Sequence, residues 1–574
     1  MTDIYILGIH DGHNSGASLC CNGVVVASVS EERLTRVKNE VGYPRQAIED
    51  VLKIGGIDSK SLTEVAYASN FMHHENHLRN IAEWYLVGLK DQRLEKEKPK
   101  EYQKLIFEQR KKERIKTVCQ HIGVSPSIVT FVEHHRAHLA AAYYTAPNIA
   151  NDEPALGLTC DGAGDGLCAT VSICKGNNLE RIAQTDRHAS LGKIYSRITV
   201  LLGMKAWEHE FKVMGMAPYA EMERVEQALP VFKDLLKLSN DGLSFAQTGE
   251  LSTNFCYEYL RDSLERVRFD VICGVVQKFT EDMLVDWVRA AIKKTGIRRV
   301  VAGGGVFMNV KANMYIAQMP EVESFYVMPS GGDESLSIGA CLDRYYQISN
   351  DNDRRKGVFS HLYLGRSFSK KDEETALNDK SIKGKYDIIE TDDADAMTAD
   401  ILSQGHIVAR CSGPMEWGAR ALGNRSILVN GSDLRNIEIL NSAIKMRDFW
   451  MPFAPAIREE DASDYYDDPK RLEPLFMTFA LPAKQKARDH IIAGTHPRDH
   501  TMRVQLVRKT SNPGYHRILS LFKDKTGMGG FVNTSFNLHG EPVVYSPADA
   551  LRVMGLSGLN HLALGHFIVR KKQA

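Results

Sequence analysis

Two stretches of this chain, about 150 residues apart, follow one plan, and that repeat restricts the fold more than any other feature. In YILGIHDGHNSGASLCCNGVVVASVSEERL, beginning at Tyr5, a short apolar strand runs into Asp11-Gly12. A second strand follows, Asn22-Gly23 makes a hairpin turn, and a third strand leads away. In ALGLTCDGAGDGLCATVSICKGNNLERIAQ, beginning at Ala155, an apolar strand again ends in Asp-Gly, a second strand follows, and Lys175-Gly176-Asn177-Asn178 turns into a third. Two copies of strand, Asp-Gly loop, strand, turn, strand predict a duplicated α/β core.

The predicted core is of the actin and sugar-kinase (ASKHA) type, which clamps a nucleotide between its halves. Glycine loops in such a core bring backbone N–H groups close to phosphate, because a missing Cβ permits close approach and unusual dihedrals. RRVVAGGGVFMNVKANMYIAQ adds a third such element, running from a strand through Gly303-Gly304-Gly305 into a helix that carries Asn309 and Asn313. A tight strand-to-helix turn without a ligand accounts for any one glycine-rich turn, but three in one chain weigh against it. Residues from about 73 to 120, rich in Lys and Glu at helical spacing, read as a solvated helical insertion; contact with an acidic partner is the weaker reading, since the acids offset most of the bases. The polar stretch SNDNDRRKG marks the best boundary, giving a first domain over 1–350 and a second α/β domain over 361–574.

FVEHHRAHLAAAYYTA places His134 and His138 four residues apart, on one face of a helix whose alanines let it sit deep. Two imidazoles so spaced can share a metal, the alternative being a capping or core polar pair. His135 stands where a zinc peptidase would carry its water-activating Glu, which argues against proteolysis. Asp333, in PSGGDESLS, follows two glycines at a helix start and could add an oxygen ligand. His, His and Asp with open positions suit Fe(II), and equally Mn or Zn; residue types do not choose. Asp11 and His13 flank the first glycine turn, with Lys38 nearby, and a histidine oriented by a carboxylate suits proton abstraction from a hydroxyl near neutral pH.

In the second domain, GPMEWGARALGNRSIL and NSAIKMRDFWMPFAP interleave Arg420, Arg425, Arg435, Lys445 and Arg447 with glycine, aromatic and apolar residues. A solvated basic face would alternate Lys with Glu, whereas this mixture reads as a packed pocket for a multiply charged anion. Arginine forks onto phosphate or carboxylate, each charge-assisted bond being worth roughly 1.5–3 kcal/mol. The competing reading is structural ion pairing with Glu416, Glu438 and Asp448.

A chain of 574 residues exceeds one core. Its 72 basic and 72 acidic side chains remove any global case for nucleic acid, so local clusters must carry recognition. Ten scattered cysteines without a CxxC suit reduced thiols. The start MTDIYILGIHDG enters a strand at once, and no run of about 18 apolar residues occurs anywhere. A cytoplasmic protein with no membrane association is expected.

Together these strings resemble the NodU/CmcH (TobZ-like) O-carbamoyltransferase family over nearly the whole chain. HDGHNSGASL, EERLTRVKN, EHHRAHLAAAYY, DGAGDG, FKVMGMAPY, AGGGVFMN and SGGDES look like the family's first domain, itself similar to the tRNA threonylcarbamoyl transferase. GPMEWGARALGNRSIL, IKMRDFWMPFAP, TMRVQLV and NTSFNLHGEP look like its YrdC-like second domain. The resemblance implies a two-stage reaction: carbamoyl phosphate and Mg-ATP give carbamoyl adenylate in the second domain, and the first passes the carbamoyl group to a hydroxyl. It implies that Arg420, Arg425, Lys445, Arg447, Arg503, Ser535 and Asn537 hold ATP and carbamoyl phosphate. His134, His138 and Asp333 would bind iron, and Asp11 and His13 would activate the acceptor. Lys38 would stabilise the oxyanion or hold phosphate, and Gly162, Gly164, Gly304, Gly305, Asn309 and Asn313 would line the adenylate. The acceptor is expected to be a hydroxylated small-molecule natural product or sugar, and the protein a homodimer. The alternatives are threonylcarbamoyl transfer to tRNA and a non-catalytic nucleotide-dependent binding module; the first would need a nucleic-acid stripe, and the basic region over 88–116 is diluted by Glu.

Overall fold

The turn residues shape the first sheet. Asn22 and Gly23 take φ of 50° and 85°, both left-handed, as a two-residue hairpin between right-twisted strands requires. They join β2 (Gly16–Cys21) to β3 (Val24–Ser30), and β2 also pairs antiparallel with β1 (Tyr5–His10). Two parallel strands, β4 (Leu62–Ala68) and β5 (Val129–Val132), extend the sheet to the order β3-β2-β1-β4-β5. This computed structural model describes residues 3–79, 86–96, 100–147, 149–349, 351, 353–380, 382, 384–445, 448 and 450–572.

A second sheet repeats the plan. β6 (Ala155–Gly164), β7 (Leu167–Lys175) and β8 (Asn178–Asp186) form the antiparallel run, and β9 (Arg299–Gly303) and β10 (Ser324–Val327) the parallel extension, in the order β10-β9-β6-β7-β8. Strand for strand the connectivity matches the first sheet. One detail departs from the predicted loop: β6 continues to Gly164, and the turn falls one Asp-Gly later, at Asp165 and Gly166 with φ of 49° and 86°.

Two helices fill the space between these sheets. Leu336–Ile348 packs on β1, β2 and β4, His134–Thr145 packs on β6 and β9, and the two pack on each other. Their approach is close enough that a Cβ on Gly339 would lie 1.8 Å from the carbonyl oxygen of Ala137. Both helices are almost wholly buried, which accounts for the alanine and small-residue content that leaves them without a clear amphipathic stripe.

The chain divides into two units, but not at a single point. The first holds the residues up to Glu31 and from Glu40 to Phe359; the second holds Glu32–Asn39 and everything from Ser360. The second unit is built on an eight-stranded sheet: β11 (Tyr386–Glu390), β12 (Val408–Cys411), β13 (Arg425–Val429), β14 (Ala454–Arg458), β15 (Gln505–Val507), β16 (Gly530–Ser535), β17 (His561–Leu564) and β18 (Phe567–Lys571). Their order is β11-β18-β17-β12-β13-β16-β14-β15. Neighbouring residues such as Ile427 and Leu428, or Phe531 and Val532, belong to opposite apolar clusters, so both faces of the sheet are covered. Among the described residues all ten cysteines are free, and no helix is long and apolar enough to cross a membrane.

Candidate functional site

The helix His134–Thr145 begins at Glu133, whose carboxylate accepts from the backbone N–H of His135 (3.2 Å) and Arg136 (2.8 Å). That cap fixes the first turn, placing His134 and His138 one turn apart with ring centroids separated by 4.7 Å. Each ring is held from behind. The Nδ1 of His134 lies 2.9 Å from Ser69 Oγ, and the Nδ1 of His138 lies 3.3 Å from Ser335 Oγ. Ser335 donates its own proton to Gly332 O, so its oxygen accepts Nδ1–H of His138 and leaves Nε2 facing forward.

Two carboxylates meet those nitrogens. The ladder of β6 loses register between Cys160 and Gly164, and this bulge turns Asp161 inward, with Oδ2 3.1 Å from His134 Nε2 and 3.5 Å from His138 Nε2. Asp333 arrives from the short turn before the helix Leu336–Ile348, its Oδ1 3.7 and 3.6 Å from the same nitrogens. One atom from each of the four residues lies within 4.8 Å of every other. Burial works against charge on all four, yet the bond to Asp161 and the charge of Asp333 raise His134 to about 9, and the nearby charges of the same two carboxylates lift His138 as well. The same pairing holds Asp161 well below the usual carboxylate range and Asp333 below it.

This set fits a divalent cation. The Nε2 of His138 is buried without a hydrogen-bond partner, and in the neutral ring its lone pair would face carboxylate oxygens. Two imidazole nitrogens and two carboxylates form a donor set that Fe(II), Mn(II) or Zn(II) accepts.

In the second unit the strand register gathers a different chemistry. Ser426 pairs with Ser535, Ala454 with Asn533, and Ala456 with Gln505, so the starts of β13, β14 and β15 and the end of β16 share one end of the sheet. Arg420, Arg503, Ser535 and Asn537 all lie on or beside those strand ends. Arg447 and the side chain of Lys445 lie outside the described residues. Ser535 Oγ donates to Asn537 Oδ1 (2.7 Å), and the Asn537 amide donates to Glu541 O. The family models describe both units in the same terms: carbamoyltransferase N-terminus matches residues 5–342, and carbamoyltransferase C-terminus matches 399–571.

The chain belongs to the carbamoyltransferase family. An uncharacterized protein of Synechocystis sp. is 30% identical to it over 99% of this chain and 97% of its own length. Nodulation protein NolNO of Sinorhizobium fredii is 28% identical over 98% of this chain and 79% of its own length. The 3'-hydroxymethylcephem-O-carbamoyltransferase of Streptomyces clavuligerus is 28% identical over 46% of this chain and 47% of its own.

Several residues of this carbamoyltransferase take places that their spacing did not foretell. Asp11 does not orient His13: both its oxygens are taken by Arg114, at 2.9 Å each, and the pair is buried. His13 instead sets its ring edge-on to Trp207, with centroids 4.3 Å apart. Its backbone oxygen is bound by His10, whose Nε2 is 3.8 Å from Asp333. Lys38, expected in the first domain, belongs to the segment Glu32–Asn39 of the second unit. That segment is docked through Arg33 on Gly418 O and through Arg36 on the carbonyls of Pro542 and Val543.

Two of the glycines, Gly164 and Gly305, meet the histidine–carboxylate cluster directly. A Cβ on Gly304 would lie 2.3 Å from Cys160 O, and the N–H of Gly305 donates to Asp161 Oδ1 at 3.1 Å. Gly164 faces the His134 ring, and Gly162 faces Lys193, whose Cε would lie 3.7 Å from an added Cβ. Lys193 is pushed down to about 8 by burial and Arg197, against the pull of Asp161 and Asp333. Asn309 caps the helix Val310–Gln318 and pairs with Gln277, while Asn313 is fully buried with its amide on Phe307 O; both shape the loop, and Asn313 has no surface to offer an adenylate.

Arg425 is likewise diverted from the expected anion. It is 1% exposed, and its guanidinium donates to the carbonyls of Tyr545, Ser412, Gly413 and Asn424. Among the described residues Glu416 makes no ion pair with an arginine; its Oε1 accepts backbone N–H from Leu422, Asn424 and Arg425, tying the loop together. Arg435 is exposed and pairs with Asp433. Spacing missed Asp161, His10, Ser69, Ser335 and Lys193. The available signal was the repeat itself, since Asp161 stands in the second copy where Asp11 stands in the first.

Proposed function

We propose that this carbamoyltransferase is an ATP-dependent O-carbamoyltransferase with its two chemical steps divided between its two units. In the second unit, water cleaves carbamoyl phosphate to carbamate and phosphate, and a carbamate oxygen attacks the α-phosphorus of Mg-ATP, expelling pyrophosphate. In the first, an acceptor hydroxyl attacks the carbamoyl carbon of the adenylate, forming a carbamate ester and releasing AMP. The matched strand connectivity of the two sheets supports reading the first unit as a duplicated actin-like (ASKHA) domain, with the second unit YrdC-like. The observation that carries the division is the cluster of His134, His138, Asp161 and Asp333 in one unit and the gathering of Arg420, Arg503, Ser535 and Asn537 at one sheet end in the other.

A divalent cation, iron by family resemblance, would supply an electrophile for an oxygen of the adenylate. His134, His138, Asp161 and Asp333 would hold it. His13 would take the acceptor proton as the new C–O bond forms, its ring steadied by Trp207 and its backbone by His10. In the second unit Arg420, Arg503, Lys445 and Arg447 would neutralise the phosphates, while Arg425 and Glu416 keep the Gly413–Arg425 loop in shape. The acceptor would be a hydroxylated small molecule or sugar, the first by analogy with the hydroxymethylcephem O-carbamoyltransferase relative.

Arg503→Ala should abolish pyrophosphate release that depends on carbamoyl phosphate, whereas His138→Ala should spare that release and stop carbamoylation of any acceptor. Equal loss of pyrophosphate release in both variants would refute two separate sites. A mass-shift screen of hydroxylated metabolites with carbamoyl phosphate and ATP identifies the acceptor.

A further inference from the structure

Arg114 lies on the helix Lys100–Ile122, in a stretch whose Lys and Glu spacing reads as solvated, yet its side chain is 1% exposed. The guanidinium sits over two rings, 4.5 Å from the Tyr67 centroid and 4.9 Å from that of Phe131. Its fork on Asp11 uses Nε and Nη2. Nη1 donates to Ser69 O at 2.8 Å, and Nη2 also reaches Ala68 O at 2.9 Å. Burying a cation on two carbonyls at the end of β4 is costly unless those carbonyls must be held.

What they hold is Ser69. Its φ of 70° is left-handed, a conformation that non-glycine residues keep only when their surroundings impose it. In that conformation its N–H donates to Val132 O, just before the helix of the two histidines, and its Oγ reaches His134 Nδ1 at 2.9 Å. We propose that Arg114, fixed by Asp11, is a positioning residue for the cation site, acting through Ser69 to set the ring of His134. Asp11 and Asp161 thus have divided roles in the repeat: Asp161 is itself one of the proposed ligands, and Asp11 anchors the arginine behind them. The inference rests on the reading of His134, His138, Asp161 and Asp333 as cation ligands.

The test is a titration of Co(II) into the chelator-stripped full chain, followed by visible d–d absorption. Ser69→Ala, which removes one hydroxyl, and Arg114→Lys, which keeps the charge but loses the fork, should each weaken Co(II) binding by about tenfold to a hundredfold. Lys111→Met, on the same helix and against the same Phe131 ring, should leave it unchanged. Ser69→Ala and Arg114→Lys proteins that bind Co(II) within about twofold of wild type, while Asp161→Asn loses it, overturn the inference alone. A wild-type chain that binds no Co(II) overturns the cation reading and the inference with it.

Discussion

Gly164 and His134 meet without room for a side chain: a Cβ on Gly164 would lie 2.1 Å from Cγ of the imidazole. Gly164, in the loop of the second repeat, is therefore a packing requirement of the histidine–carboxylate cluster. Gly164→Ala should push the ring from its place and weaken cation binding by about tenfold or more. Metal analysis of the purified variant, beside a circular dichroism spectrum showing the fold retained, checks this.

Chelation should separate the two steps. If the histidine–carboxylate cluster holds the proposed divalent cation, a chelator that strips it but leaves magnesium in place should stop acceptor carbamoylation and leave carbamoyl phosphate-dependent pyrophosphate release untouched. Pyrophosphate assays before and after treatment decide it, and loss of both activities together would contradict the division.

Arg425 should matter more to stability than to substrate affinity. Arg425→Met removes the guanidinium from four carbonyls, of which that of Asn424 keeps the Ser412 N–H, at a cost of about 2–4 kcal/mol. Denaturant unfolding should show the loss. A variant of wild-type stability with a raised KM for carbamoyl phosphate would restore Arg425 to the anion site.

Glu281 should make stability fall as pH rises. Burial lifts its carboxyl to about 7 although the Gln277 amide and Lys311 favour the charged form. The folded chain therefore holds a proton that the unfolded chain has released between about pH 4.5 and 7, so this residue's contribution is lost across that window. Glu281→Gln should match wild type near pH 4 and gain on it up to pH 8, by no more than about 3 kcal/mol. Thermal unfolding of both proteins across that range measures the gap, and a constant gap refutes the assignment.

Local pattern was enough for whatever depends on neighbours along the chain. Asn22-Gly23 announced a hairpin because few residue pairs accept two left-handed dihedrals, and the four-residue spacing of His134 and His138 put both rings on one helical face. The repeat from Tyr5 and from Ala155 foretold two sheets of one connectivity. What spacing could not carry was the partner of each charge. Asp161 looked like part of a phosphate loop until a bulge in β6 turned it toward the histidines; Asp11 and Arg114, some hundred residues apart, meet only after the helical insertion folds back. Arg425 reads as an anion binder among glycines, yet its charge goes to four carbonyls. The sequence by itself determined the elements, the repeat and the family; tertiary structure alone decided which cations face ligands and which are spent on the scaffold, because a buried charge is satisfied by whatever long-range packing brings beside it.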